Sequence, residues 1–153
     1  MNKALFIIPI LLLTFITAPA IMVKLDTSQL TANASHIITG KVLSVESHYT
    51  QDRQSIYTEV IVAVGNQLKG NTNSPELTIR FPGGEMEDMG LWIEDSPVFH
   101  YGEDVILFLV RNDDGSYKVW DMHQGKYTVA NDIVVENGLA VGEFLNDIQS
   151  ALR

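Results

Sequence analysis

The sequence predicts a mainly β domain, a small curled barrel flanked by helices, behind an export leader. At least five short apolar runs, alternating or continuous, are separated by Gly, Pro, Asn and Asp turn signals. Helical signals are confined to the two ends of that β region. Gly40 lies inside the first β run, where a small closed barrel needs a bend. Many short antiparallel strands remove their exposed edges by closing on themselves. A β-sandwich with a packed helix is the alternative architecture.

The chain opens with Met1-Asn2-Lys3, continues almost wholly apolar through Ala18, and reaches Ala18-Pro19-Ala20. A positive start, an apolar stretch and a small-x-small site make a secretory signal, so residues 1–20 are expected to be cleaved after Ala20. The rival reading is an uncleaved anchor over residues 4–23. Its twelve Leu, Ile, Phe and Val side chains favour insertion by about 5 kcal/mol. Energy therefore does not separate the two. Either way, the single domain of residues 25–153 is expected to work outside the cytoplasm, secreted or at the exterior of the cell envelope.

Leu25–Ser35 reads as a short helix capped by Asp26 or Thr27, with Leu25 and Leu30 inward. His36–Ser47 is the first strand. Ile56–Val64 is the clearest one, placing Ile56, Thr58, Val60, Val62 and Val64 on one face. Glu76–Phe81 follows with Leu77, Ile79 and Phe81 together, and Pro82-Gly83-Gly84 breaks it. Glu85–Tyr101 is irregular yet apolar, a loop or short strand folded over the core. Asp104–Val110 is nearly continuous in apolar residues and is expected to be buried on both faces. Asn112–Ser116 is a hairpin turn with Asp114-Gly115 at its tip. Tyr117–Met122 returns, and Lys126–Val129 with Ile133–Val135 form a further β element around Asn131-Asp132. Val141–Leu152 is an amphipathic helix with Val141, Phe144, Leu145, Ile148 and Leu152 on one stripe.

The chain has no cysteine, so an exported domain here must stand on its core alone. Thiolate nucleophiles and Cys-bound zinc or iron–sulfur centres are excluded with it. The net charge is −9. Loss of Lys3 with a leader leaves nine basic against nineteen acidic residues. That balance excludes a nucleic-acid face and electrostatic attachment to anionic lipid. Membrane contact is expected only if the N-terminal segment is retained.

No catalytic set emerges. The serines lie in no G-x-S-x-G or S-x-x-K context, and Gly83-Gly84 lacks the rest of a phosphate-binding loop. Glu85, beside a constrained turn, is the best lone acid–base candidate and has no partner at a defined spacing. The histidines show no metal-ligand spacing. Seven carboxylates, with no Lys or Arg among them, lie between Arg80 and Arg111. Calcium takes oxygen ligands, so Glu85, Glu87 and Asp88, with His48 and His100, are the weak metal candidates. No cofactor is implied. For recognition, Glu85, Trp92, Phe99 and Tyr101 are the candidate contacts, because binding residues concentrate in irregular segments and aromatics dominate contact energies.

The segments ASHIITGKVLSVES, IYTEVIVAVGNQLKG, ELTIRFPGGE, PVFHYGEDVILFL and QGKYTV resemble a group of exported microbial domains. Their order is also similar to the netrin/TIMP-like superfamily of OB-type barrels. That resemblance implies a five-stranded barrel with helices beside it. TIMP-like inhibitors chelate a protease zinc through an N-terminal cysteine, and with no cysteine here no inhibitory residue carries over. The expectation is an exported, non-enzymatic binding or protein-interaction module, its partner an unidentified protein or envelope ligand. A calcium- or metal-dependent module and a protease-inhibitor-like domain are the alternatives.

Overall fold

The computed structural model describes residues 24–153. The predicted leader, and the rival anchor over 4–23, lie outside the described residues. Among the described residues no helix is long and apolar enough to cross a membrane. The elements run α1 (Thr27–Asn33), β1 (His36–Tyr49), β2 (Ile56–Lys69), β3 (Glu76–Pro82), β4 (Gly84–Glu85), β5 (Gly90–Leu91), β6 (Asp104–Arg111), β7 (Tyr117–Val119), a 3-10 turn (Met122–Gly125), β8 (Lys126–Ala130), β9 (Ile133–Val134) and α2 (Val141–Ala151).

The barrel is closed. β1 pairs with β2, β2 with β3, β3 with β7 and β7 with β6, and β6 returns to β1 through His36↔Leu109 to Lys41↔Asp104. The β3–β7 contact is parallel and the others are antiparallel. This five-stranded closure, with β8 and β9 outside it, is compatible with an OB-like fold. The sandwich alternative does not hold, because β1 bridges what would be two sheets. Gly40 sits at a register irregularity of β1, where a Cβ would lie 2.6 Å from the Ala63 carbonyl oxygen. Glycine there lets the two strands approach as the sheet curls.

Two apolar compartments follow from strand alternation. Ile38, Val42, Val60, Val62, Leu77, Ile79, Val105, Leu107 and Leu109 fill the barrel. Ile37, Ile106 and Phe108 point the other way and pack under Leu30 of α1 and Phe144 and Ile148 of α2. The apolar run of β6 is thus buried on both faces, as expected. Tyr127 lies 4.6 Å from Phe144, ring centre to ring centre, and Phe108 meets both rings edge-on. α1 opens on a reciprocal cap: Asp26 accepts the Gln29 N–H at 2.8 Å and the Gln29 side chain accepts the Asp26 N–H at 3.0 Å. The Ser28 hydroxyl, which donates to the Asp26 carboxylate at 2.7 Å, and then the Gln29 N–H hold that carboxyl below its ordinary value. The Lys69 ammonium donates to the Thr31 and Ala32 carbonyls at the other end of the helix, complementing its negative pole.

The structure departs from expectation in two places. The strand predicted over Tyr117–Met122 stops at Val119, because Asp121 and Met122 adopt left-handed backbone that ends the ladder. Leu152, placed on the inward stripe of the last helix, is 36% exposed, since α2 ends at Ala151 beyond the reach of the core.

Candidate binding groove

The β1–β6 seam ends at Lys41↔Asp104, while β1 and β2 run on together to Tyr49↔Ile56. The barrel is therefore open at this end. A bulge at Leu43 decides what faces the opening. Val42 pairs with Val62 but Ser44 with Ile61, so the extra residue resets the alternation. Val45 and Ser47 then sit opposite the inward-facing Val60 and Thr58, with Ser44, Glu46 and His48 on the outer face.

The Pro82-Gly83-Gly84 break lays the next segment on that mouth. Gly83 and Gly84 both have positive φ, and a Cβ on Gly84 would lie 2.7 Å from the Thr58 hydroxyl. Only glycine allows so close an approach in that conformation. Thr58, buried, donates its hydroxyl to the Gly83 carbonyl at 2.8 Å, and the Gly83 N–H donates to the Ile56 carbonyl at 2.9 Å. The short β4–β5 hairpin follows and is held at its tip by the Tyr49 hydroxyl, which donates to the Asp88 carboxylate. That bond, with the nearby negative charge, raises the Tyr49 pKa above its ordinary value. Further on, the His123 N–H donates to the Asp95 carbonyl at 3.0 Å and ties the segment to the 3-10 turn.

Between segment and barrel lies a groove of about 440 Å³. Its lining includes the buried Phe99 and its neighbour Phe81, with Val45, Leu91, Trp92, Ile93, Pro97 and Val98. Among the described residues Glu85 is the one ionisable side chain in the lining. The Ser96 hydroxyl, also in the lining, is buried and has no hydrogen-bond partner among the described residues. The mouth is apolar and open to solvent: Trp92 is 86% exposed, Val98 57% and Val45 38%.

The four candidate contact residues take different places. Glu85 and Trp92 stand on the rim. Phe99 is only 6% exposed and stacks on Phe81 at 6.0 Å, as a plug between groove and barrel core. Tyr101 is exposed in the neighbouring turn but outside the groove lining. Of the weak metal candidates, Asp88 is engaged by Tyr49, and His48 lies against Tyr57 at 5.5 Å with Glu46 3.8 Å away. Among the described residues no three His, Asp or Glu side chains gather to hold a metal ion. Val45, Val98 and Ser96 belong to the groove and were not foreseen. Val98 was visible as an apolar residue of an irregular segment, whereas Val45 faces the mouth only because of the bulge.

One buried ion pair fixes the plug. Lys126 donates to Glu103 at 3.1 Å and to the Thr128 hydroxyl at 2.8 Å, with its ammonium 5.2 Å from the Phe99 ring centre. The second Glu103 oxygen accepts the His100 N–H at 2.9 Å. The turn behind Phe99 is thereby tied to β8.

The chain matches no known family model, and no curated protein matches it in sequence.

Proposed function

We propose that this chain is an exported, non-enzymatic binding module that holds a partner at the open mouth of its barrel. The groove carries this reading. It combines apolar walls, an exposed tryptophan on its rim and a floor fixed by Phe99, and such concave apolar sites with few polar groups are where ligands bind. Among the described residues the lining carboxylate, Glu85, has no second ionisable group beside it in the groove, which supports binding rather than acid–base chemistry. The amino-terminal pattern supports work outside the cytoplasm, either secreted or held at the envelope by that segment. The barrel and the quoted segment order support kinship with netrin/TIMP-like domains.

The neutral dye N-phenyl-1-naphthylamine tests the groove. Its fluorescence is expected to rise on mixing with the protein. Trp92→Ala, removing about 1.4 kcal/mol of contact, should weaken the interaction roughly tenfold, and Val98→Asp should weaken it further. Absence of dye binding, or binding indifferent to both substitutions, overturns the reading.

A further inference from the structure

We propose that the open edge of β1, Leu43–Tyr49, accepts an extended basic and apolar polypeptide as an added strand. The inference rests on the groove being a binding site and names the chemistry of its partner. The edge itself comes first. Val42 exchanges backbone hydrogen bonds with Gly102 and Glu103, both at 2.9 Å. The chain then turns away at Gly102, whose φ is +79°. From Leu43 onward β1 pairs with β2 on one side and, among the described residues, with no strand on the other. Proteins commonly protect such edges with charged residues, Pro or bulges; Leu43–Tyr49 contains no Lys or Pro, its bulge lies at its first residue, and its one carboxylate, Glu46, admits a basic partner.

Alternation sets what an added strand would present. A side chain next to Val45 would enter the groove, towards Val98 and Trp92, and should be apolar, while Ser47 lies under Gly84 with its hydroxyl accepting the Glu85 N–H at 3.3 Å. Side chains on the other face would meet Glu46. This carboxylate is 67% exposed and sits directly across from Glu59, a like-charge pairing that disfavours the sheet. Glu59 has its counter-charge in Arg80 at 2.7 Å, but among the described residues Glu46 has only His48, at 3.8 Å. A partner Lys or Arg beside Glu46 would supply what the described residues do not. The rim repeats the preference, since Glu85, the one ionisable side chain of the lining among the described residues, is acidic.

The test uses fluorescein-labelled ten-residue peptides and the protein purified after expression of the full chain, with anisotropy as readout. A Lys–Val alternating peptide should bind and its Glu–Val counterpart should not. N-methylation of alternate amides, which removes strand hydrogen bonds and keeps the charge, should weaken binding by about tenfold. Glu46→Lys should weaken it roughly two- to fivefold. Asp147→Lys, the same charge change on α2 outside the groove, should leave it unchanged at physiological salt, where charges act over only ~8 Å. Equal affinity of the N-methylated peptide, or equal losses from Glu46→Lys and Asp147→Lys, overturns the proposal. So does self-association of the protein, or capture of phosphatidylcholine vesicles, that Glu46→Lys and Trp92→Ala alter while the peptide fails to bind. If the peptides fail and the dye still binds in a Trp92-dependent way, the strand-addition proposal falls and the groove stands. If the dye fails as well, both fall.

Discussion

Replacing Lys126 by Met is expected to destabilise the domain by about 3–5 kcal/mol, the usual cost of stripping one partner from a buried ion pair. The structure puts the effect at that level. The two side chains are only 8% and 10% exposed, so solvent cannot replace the lost partner. Glu103 would keep the His100 N–H but lose its cation, Lys126, and the ammonium over Phe99 would go too. Total stabilities of about 5–15 kcal/mol make this a large share. Urea unfolding followed by intrinsic fluorescence is the assay. At a slope of about 2 kcal/mol/M, the midpoint should fall by about 1.5–2.5 M. Glu103→Gln should destabilise as well, and the double variant should be at least about 1.5 kcal/mol more stable than the two single losses added together. A Lys126→Met loss below about 1 kcal/mol, or a cycle additive to within about 0.5 kcal/mol, would refute the claim that this pair pins the Phe99 turn.

Other outcomes follow from the helical face. Phe144→Ala should cost about 3–5 kcal/mol in the same urea experiment, while Leu152→Ala, at an exposed position, should stay within about 0.5 kcal/mol. Similar losses at both sites would mean that α2 packs along its whole predicted stripe. Burial, with Glu136 nearby, raises the Tyr127 pKa above its ordinary value. The folded state therefore holds that proton more tightly than the unfolded chain does. The corresponding stability is complete below about pH 10, the unfolded value, and is lost as pH rises through the folded one. Tyr127→Phe should flatten the alkaline fall in melting temperature, and an unchanged profile would show that this hydroxyl does not govern it.

Much of the barrel was legible because strand alternation is local. The face of Ile56, Thr58, Val60 and Val62 is buried as the period-two pattern requires, and the unbroken run of β6 correctly signalled burial on both sides. Asn131 and Asp132, around which a β element was expected, both adopt left-handed backbone. The errors arise where tertiary geometry overrides local pattern. Nothing in Tyr117–Met122 marks Asp121 as the residue that leaves the sheet. The final helix offers Leu152 at the right angular position but one turn too far along. The site was half visible for the same reason. An irregular apolar segment can be recognised by composition, and Trp92 was found that way. Whether its neighbour Phe99 faces a ligand or the core depends on Phe81 and Lys126, which lie far off in sequence. The groove itself depends on a single-residue bulge at Leu43, and no periodicity shows which residue of a strand is the extra one.

The eight residues of β6 serve as a wall common to two rooms. Leu107 and Leu109 furnish the barrel side, and Ile106 and Phe108 the helical side. Neither room has masonry of its own sufficient to stand after that wall goes. Loosening the ribbon empties both together, which leaves the molecule no half-melted refuge with one side intact.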